Sequence, residues 1–336
     1  MNLLLLRTSA LGDIAHCLPV LGALRQRFPD ARLAWVVEES FAALLEGHRH
    51  LDEVVPVATR RWRRRPLAGE TRREVLALRR RLRSFEADAV LDLMGNHKAG
   101  VLARLSGCRR RVGARRPDRR EPSSAIWLNE GVPVSAAHAV DRALEILTAL
   151  GIDEASPDFG SADLLPTVAA DPEAPPILLH PGAAWANKRY APEAWGRVLA
   201  RLHRATGLPA GVLAGPGEDD LARAVAGASE GAARPYGSPG LPALVATLRG
   251  ARLVLGGDTG PLHLAHALGV PVLAVMGPTD PARHGPYGHP ERALALQLPC
   301  SYCYRRFEET KACLLGLPAQ AVAGRALRVL ESSGSR

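Results

Sequence analysis

Residues 2–28 read NLLLLRTSALGDIAHCLPVLGALRQRF, and this segment indicates the fold class of the chain. Four consecutive leucines follow Asn2, which is typical of a buried strand of a parallel sheet. Apolar residues then recur at helical spacing from Ile14 to Phe28, so an amphipathic helix is expected to follow the strand. The turn Arg7–Asp13 joins the two elements. A strand, a turn and a helix in this order predict the first βα unit of an open α/β sheet.

The same alternation of short apolar runs and amphipathic segments continues along the chain. Further strands are predicted at residues 32–37, 54–57, 89–93, 177–179, 211–214, 253–255 and 272–275. Helices are predicted to begin at Pro192, Glu218 and Gly260, and a final helix spans Pro318–Leu330. Connections of this kind are right-handed and give a mostly parallel sheet.

The length of the chain indicates two domains. It has 336 residues, and one domain typically holds roughly 150. Residues Ser156–Pro176 are rich in Pro, Asp and Ala without sustained periodicity, so we place the linker there. We predict an α/β fold of two Rossmann-like domains, residues 1–165 and 166–336, whose mostly parallel sheets face each other across a cleft. Whether the C-terminal helix packs back on the N-terminal domain is left open.

Composition excludes several classes of protein. Hydrophobic residues make up 47% of the chain and charged residues 23%, which excludes a disordered or fibrous protein. The longest stretch without charge, residues 259–279, contains three prolines and two histidines, which a membrane-spanning helix does not accommodate. The N-terminal apolar run is too short for a signal peptide. Five cysteines, an odd number, do not form a secreted disulfide framework, so we expect a reducing compartment.

The net charge of +9 is concentrated in two arginine clusters. Residues 60–83 contain eleven Arg and two Glu, and residues 104–120 contain eight Arg and one Asp. Such clusters attract a phosphate, a carboxylate, a nucleic acid or an acidic membrane surface. The spacing of Arg72–Arg83 also fits a solvated helix face. Trp62 is the one aromatic residue in these clusters, so a nucleic-acid-binding module, which needs stacking side chains, is the less favoured alternative.

Asp13 is the one carboxylate of the turn after the first strand. Ligands of open α/β sheets bind beyond the carboxyl ends of the strands, so this turn borders the expected site. Two interpretations stay open, a helix N-cap and a catalytic base. The turn is not GxGxxG and the chain contains no GxxxxGK[ST], which argues against a dinucleotide dehydrogenase and a P-loop NTPase.

The loop Gly256–His263, GGDTGPLH, is the strongest candidate for binding a diphosphate. Its glycines let backbone N–H groups approach a ligand closely, and the helix after it offers the positive end of its dipole. Asp258 and Thr259 are placed to hydrogen-bond sugar hydroxyls. The first loop of the second half leads to Lys188, a point charge suited to phosphate.

Two further observations concern ribose and metals. The loop at residues 215–219 offers Glu218 and Asp219 as acceptors for ribose hydroxyls. The chain contains no Asp-x-Asp pair, so a metal-bridged diphosphate is not expected. The charge of the leaving group is then met by Lys, backbone donors and a helix end. Cys300, Cys303 and Cys313 lack a fourth ligand and are interpreted as free or buried thiols. We expect neither a metal nor a cofactor.

Seven segments, in this order, resemble glycosyltransferase family nine. They are RTSxxGD at 7–13, WVVEE at 35–39, RRWR at 60–63, REP at 120–122, HAV at 138–140, DTG at 258–260 and GPTDP at 277–281. The RRWR and REP segments resemble the heptosyltransferase I branch in particular. The resemblance runs from the first strand to about Pro281.

This resemblance implies a GT-B fold and an inverting glycosyltransferase. The implied reaction moves heptose from ADP-L-glycero-D-manno-heptose to the 3-deoxy-octulosonic acid (Kdo) region of the lipopolysaccharide inner core. Another family-nine enzyme with a different glycan acceptor, of heptosyltransferase II or III type, is the alternative. The implied partners are ADP-heptose and a Kdo-lipid A-type acceptor, without nucleic acid. The implied location is cytoplasmic, peripheral at the cytoplasmic face of the inner membrane. The oligomeric state is not predicted.

The resemblance also implies roles for individual residues. Asp13 matches the catalytic carboxylate. The implied donor contacts are Lys188, Glu218 or Asp219, Asp258, Thr259, Gly260 and His263. The implied acceptor contacts are Arg60, Arg61, Arg63 and Arg120. The residue type agrees with this role, because the planar fork of Arg matches a carboxylate bidentately.

Overall fold

Parallel strand pairing organises both halves of the chain. The structure, a computed structural model, describes residues 1–164 and 171–333. Within them the strands form two sheets of six strands each, and all strand pairs are parallel. The chain divides into two units, Met1–Pro166 and Thr167–Arg336. The predicted domain boundary between residues 165 and 166 and the middle of the predicted linker lie outside the described residues.

The first unit is built around the leucine strand. Its strands are β1 (Asn2–Leu6), β2 (Arg32–Glu38), β3 (Glu53–Val57), β4 (Ala89–Asp92), β5 (Arg110–Ala114) and β6 (Glu130–Val132). Its α-helices are α1 (Leu11–Cys17), α2 (Pro19–Arg27), α3 (Ala42–Leu45), α4 (Thr59–Arg64), α5 (Gly69–Ser84), α6 (His97–Leu105) and α7 (Ala139–Glu145). β1 lies between β2 and β4, and all four of its leucines are fully buried. Central strands of parallel sheets are covered on both faces, which is why this strand is continuously apolar.

The second unit repeats the arrangement. Its strands are β7 (Ile177–His180), β8 (Ala210–Leu213), β9 (Ala233–Gly237), β10 (Leu253–Gly256), β11 (Val272–Val275) and β12 (Ala293–Leu294). Its α-helices are α8 (Pro192–Thr206), α9 (Asp219–Gly227), α10 (Leu241–Gly250), α11 (Gly260–Ala267), α12 (Pro281–His284), α13 (Ala312–Leu315) and α14 (Ala319–Ser333). The final helix, α14, packs on α8, β10 and β11 of its own unit.

The two sheets share one topology. Their orders are β3-β2-β1-β4-β5-β6 and β12-β11-β10-β7-β8-β9, so each unit places its first and fourth strands side by side at the centre. The strand order reverses direction at these pairs, β1 with β4 and β7 with β10. Ligands of such sheets bind beyond the carboxyl ends of the strands at this switch point. The loops after these four strands are therefore where function is expected.

The predicted single helix after β1 is two helices. α1 ends at Cys17, and α2 begins at Pro19 after Leu18. Proline has no backbone N–H and cannot continue the hydrogen-bond ladder of α1, but it suits the first turn of a new helix. The apolar spacing from Ile14 to Phe28 was therefore interpreted correctly as helical but wrongly as uninterrupted.

A buried ion pair braces the first unit where β4 ends. The guanidinium of Arg119 donates to Asp92 Oδ2 at 2.5 Å, and both side chains are fully buried. Asp92 Oδ1 accepts from the N–H groups of Met94 and Gly95 at 2.9 and 3.0 Å. Arg119 also donates to Ser124 Oγ at 2.9 Å. The pair thus joins the loop after β4 to the loop that carries Arg120.

Replacing Asp92 by Asn should lower the free energy of unfolding by about 3–5 kcal/mol, because the buried guanidinium of Arg119 loses its counter-charge. Urea denaturation followed by circular dichroism measures this. Glu130→Gln is the control, since its pair with Arg110 is partly exposed and should contribute at most about 1 kcal/mol. Equal stability of Asp92→Asn and the wild type would contradict the bracing role.

Candidate functional site

Three charged or polar side chains meet at the carboxyl end of β10. Asp258 Oδ2 accepts from Lys188 Nζ at 2.6 Å, and Asp258 Oδ1 lies 2.8 Å from His263 Nε2. The side chains of Lys188, Asp258 and His263 are only 13%, 11% and 5% exposed. The sequence-predicted donor residues Lys188, Asp258 and His263 are thus brought together, and Asp258 holds the other two.

Asp258 stays ionised despite its burial. Burial by itself would raise the pKa of Asp258, but the hydrogen bond with His263 and the charges of Lys188 and His284 hold it well below the ordinary 3.8. The ammonium of Lys188 has three N–H donors, and one of them binds Asp258. The others remain for an anionic ligand.

Glycine lets the loop after β10 pack closely on the loop after β7. A Cβ at Gly256 would lie 3.0 Å from the His180 carbonyl oxygen, and one at Gly257 would lie 3.2 Å from the carbonyl oxygen of Lys188. Both neighbours are backbone atoms, which do not move aside easily. The Gly-Gly pair therefore sets the spacing at which Lys188 reaches Asp258.

Three polar atoms at the ends of adjacent strands are buried without a partner among the described residues. They are His180 Nδ1 after β7, Thr259 Oγ1 after β10 and Thr279 Oγ1 after β11. A buried hydroxyl or ring nitrogen without a partner costs free energy, so native structures usually satisfy such groups, if need be with a ligand. Thr259 is also the N-cap residue of α11, although its side chain does not cap the helix. The start of α11 therefore combines unsatisfied donors with the positive end of a helix dipole.

Glu218 connects two strand-end loops. Its carboxylate accepts from Arg189 Nη2 at 3.2 Å and from the N–H of Gly215 at 3.1 Å, and lies 3.7 Å from His180 Nε2. A Cβ at Gly182 would lie 1.9 Å from Glu218 Oε2, so only glycine leaves room for this carboxylate. Asp219, the other predicted ribose acceptor, is exposed at the start of α9.

In the first unit, Asp13 is held from two sides. Arg7 Nη2 pairs with Asp13 Oδ1 at 2.5 Å, and the N–H of Ala10 donates to Asp13 Oδ2 at 3.1 Å. Burial alone would lower the pKa of Arg7, but the neighbouring Asp13 outweighs it and the pKa is raised. The Asp13 side chain is still 31% exposed. The N-cap of α1 is Ala10, and Asp13 is the third residue of the helix, whose carboxylate accepts from the Ala10 N–H, so the N-cap interpretation of Asp13 is wrong. The interpretation of Asp13 as a catalytic base stays a prediction.

Glu38 orients the helix that carries the predicted acceptor arginines. The buried Glu38 carboxylate accepts from Thr59 Oγ1 at 2.6 Å and from the N–H of Arg60 at 2.9 Å, at the start of α4. Residues 60 and 63 share one face of α4, while residue 61 points elsewhere. Arg61 accordingly pairs with Glu39, Glu70 and Glu74 at 3.5, 3.8 and 2.8 Å. The other arginines of α4, Arg60, Arg63 and Arg64, are exposed and take no part in these pairs.

Arg120 is exposed on the loop braced by the Asp92–Arg119 pair. The N–H of Glu121 donates to the Gly95 carbonyl at 2.9 Å, and a Cβ at Gly95 would come within 3.2 Å of the Arg120 nitrogen. Arg120 therefore lies beside the loop after β4. Among the described residues, no three His, Cys, Asp or Glu side chains are arranged to hold a metal ion. Cys300 and Cys303 are exposed free thiols and Cys313 is a buried one.

Comparison with known proteins identifies the family. The profile of glycosyltransferase family 9 (heptosyltransferase) matches residues 75–313. Lipopolysaccharide heptosyltransferase 1 of Pseudomonas aeruginosa is 35% identical over 315 residues, which cover 91% of this chain and 87% of that protein. The chain belongs to glycosyltransferase family 9. The predicted family resemblance is confirmed.

Solved structures show the fold of this family 9 chain. Escherichia coli heptosyltransferase WaaC with ADP is 28% identical, has a TM-score of 0.81, and the match covers 99% of this chain and 100% of that chain. WaaC with ADP-2-deoxy-2-fluoro heptose is 29% identical with a TM-score of 0.78 over 96% of this chain and 98% of that chain. The predicted GT-B fold is confirmed.

Several polar residues with contacts near the strand ends of the two units were not predicted as site residues. They are Arg7, Glu38, Lys98, Arg119, His180, Arg189 and Thr279. Arg7 and His180 lie at the ends of β1 and β7, so the switch-point rule could have selected them, and Glu38 and Thr279 lie within the family segments WVVEE and GPTDP. The remaining three depend on which loops pack together, and nothing in their local sequence indicates that.

Replacing Asp258 by Asn should destabilise this family 9 chain at pH 7 by about 3–5 kcal/mol, because Lys188 loses its buried counter-charge. The pKa of Asp258 in the folded protein is depressed. The stability that its carboxylate contributes is therefore fully present above pH 3.8, and it is lost as the pH falls through the lower pKa of the folded state. Urea denaturation at pH 7 and at successively lower pH measures the difference. If the difference in stability between the variant and the wild type already disappeared between pH 7 and pH 5, the depressed pKa of Asp258 would be contradicted.

Proposed function

We propose that this protein is a heptosyltransferase I, which moves heptose from ADP-L-glycero-D-manno-heptose to the Kdo region of the lipopolysaccharide inner core. The observation that carries the proposal is a cradle at the carboxyl ends of β10 and β11. It consists of Lys188, which Asp258 holds, and of Thr259 and Thr279, whose buried hydroxyls have no hydrogen-bond partner among the described residues. Similarity to a heptosyltransferase 1 and to WaaC, which has been solved with ADP and with an ADP-heptose analogue, supports it.

The second unit is proposed to bind the donor. Lys188 keeps two donors for the diphosphate, Thr259 supplies a hydroxyl, and α11 supplies backbone N–H groups and a positive dipole end. These groups would stabilise the negative charge that develops on ADP as it departs. Glu218 keeps lone pairs for a ribose hydroxyl, while Asp219 is free to move in solvent.

The first unit is proposed to bind the acceptor and to supply the base. Asp13 would take the proton from the acceptor hydroxyl as that oxygen attacks the anomeric carbon on the face opposite ADP, which inverts the configuration. Arg7 and the Ala10 N–H fix the carboxylate. Arg60, Arg63 and Arg120 provide cations for Kdo carboxylates. Arg61 is less available, because it is paired with three glutamates.

The protein is further proposed to work as a peripheral protein at the cytoplasmic face of the inner membrane. Among the described residues no helix combines the length and apolar character needed to cross a membrane. Arg64, at the end of α4, and Arg65, in the segment that joins α4 to α5, are exposed close in sequence to Leu67, which is 90% exposed. Basic residues beside an exposed apolar one suit a surface of acidic lipid.

The reaction itself is the direct test of this proposal. Purified protein incubated with ADP-heptose and a Kdo-lipid A acceptor should give an acceptor enlarged by one heptose, detected by mass spectrometry together with released ADP. An acceptor that already carries the first heptose should react poorly. Transfer to that acceptor in preference to the Kdo acceptor would favour a heptosyltransferase of type II or III.

In the same assay, Asp13→Asn should lower the rate of transfer about 10²–10⁴-fold, the usual contribution of a general base. Its affinity for ADP, measured by calorimetry, should be unchanged, since the donor site lies in the other unit. Asp30→Asn, at an exposed position, is the matched control and should transfer normally. Near-normal turnover of Asp13→Asn would remove Asp13 from the chemistry.

Replacing Thr259 by Val should weaken ADP binding about 10-fold while leaving the free energy of unfolding nearly unchanged, because the hydroxyl has no hydrogen-bond partner among the described residues. Thr247→Val is a control for which the opposite result is expected. Its buried hydroxyl donates to the Ala243 carbonyl at 2.8 Å, so that variant should lose about 1 kcal/mol of stability and no ADP affinity. If Thr259→Val bound ADP like the wild type, the cradle would not hold the diphosphate.

A further inference from the structure

Residues 304–307 connect two loops that carry the proposed cradle. The N–H of Tyr304 donates to the Pro278 carbonyl at 3.0 Å, and Tyr304 Oη accepts from the Asp280 N–H at 3.2 Å. These two hydrogen bonds lie on either side of Thr279, whose buried hydroxyl has no hydrogen-bond partner among the described residues. The start of this segment is therefore fixed to the loop after β11.

Asn187 fixes the rest of this segment to the loop after β7. Its side chain is buried, and its Nδ2 donates to the Arg305 carbonyl at 2.9 Å. Its Oδ1 accepts from the N–H of Phe307 at 3.3 Å. The two hydrogen bonds lie on either side of Arg306, and Asn187 is the direct neighbour of Lys188. The backbone that carries Arg306 is thus held against the backbone that carries Lys188.

The indole of Trp185 brings the charges of Lys188 and Arg306 together. Lys188 Nζ lies 4.3 Å from the centroid of the Trp185 ring. The guanidinium carbon of Arg306 lies 4.7 Å from the same centroid. A cation within about 6 Å of the face of a tryptophan ring is attracted by its π electrons. One ring therefore holds two positive charges close to each other, although like charges repel.

Arg306 differs from the two cations of the loop after β7 in its charge balance. Lys188 pairs with Asp258 at 2.6 Å. Arg189 pairs with Glu218 at 3.2 Å. In the part of the chain that the structure describes, no carboxylate lies within ion-pair distance of Arg306, whose side chain is exposed. Arg306 therefore adds positive charge beside the cradle that no carboxylate there compensates, and an anionic ligand would relieve its repulsion with Lys188.

We propose that Arg306 binds the diphosphate of the donor together with Lys188. The guanidinium offers a planar fork of N–H donors to phosphate oxygens, and the lysine offers a compact charge. The diphosphate gains negative charge when its bond to the sugar breaks, so a cation held beside it also stabilises the departing ADP. This inference rests on the proposed function, because it takes a nucleoside-diphosphate sugar as the donor.

Binding of ADP and of adenosine, which lacks the diphosphate, tests the proposal. Calorimetric titration compares the two ligands on the wild type and on Arg306→Met. The variant should bind ADP about 10–100-fold more weakly, as expected for a lost charge-assisted hydrogen bond, and adenosine about as well as the wild type does. Arg306→Lys keeps the charge without the planar fork and should recover part of the affinity for ADP.

Arg305→Met is the matched control. Arg305 is the exposed neighbour of Arg306, and Asn187 binds its backbone carbonyl and not its side chain, so this variant should bind ADP like the wild type. Equal weakening of ADP and adenosine by Arg306→Met, or no weakening of either, would overturn the role of Arg306. The titration needs no turnover, so a wild type that binds ADP but fails to transfer heptose would contradict the proposed reaction alone.

Discussion

Parallel pairing of the strands is the constraint on which both units depend. Because every strand of a sheet runs in one direction, all of its carboxyl ends lie at one edge, and residues far apart in sequence become neighbours there. Lys188 meets Asp258 in this way across 70 residues, and Lys98 meets Ser9 across 89. The buried leucines of β1 and the buried apolar residues of β10 pack these central strands into their sheets, which fixes the position of the loops at the two carboxyl edges. The chemistry of the protein is carried by loops, but the sheets decide which loops meet.

Much of the fold was predictable because its central strands are apolar on both faces. Eight strands were found within a residue or two at each end, namely β1, β2, β3, β4, β7, β8, β10 and β11. β5, β6, β9 and β12 were not, because peripheral strands such as Arg110–Ala114 and Ala233–Gly237 are half exposed and therefore rich in Arg, Pro and Gly. The break at Pro19 was also missed, since apolar spacing continues across it and only the missing N–H ends the first helix.

The site was predictable where a motif supplies the chemistry and unpredictable where packing does. The glycines of Gly256–His263 and the helix that starts within it predict a ligand-binding loop. Asp258, Lys188 and His263 do meet there. The pairs of Arg61 with Glu70 and Glu74 of α5 were not predicted, because they follow from tertiary packing, and the acceptor role of Arg61 stays a prediction. The contacts of Lys98 and the Asp92–Arg119 pair could not be predicted from the local sequence, because a single Lys or Arg in an Arg-rich sequence looks like any other.

We propose that the loops after β7, β10 and β11 of the second unit form the nucleotide site. A crystal structure of the protein with ADP tests this placement most directly. We expect diphosphate oxygens within hydrogen-bond distance of Lys188 Nζ, Thr259 Oγ1 and the Gly260 N–H. ADP bound at the edge of the first sheet, or in the second unit away from the start of α11, would contradict it.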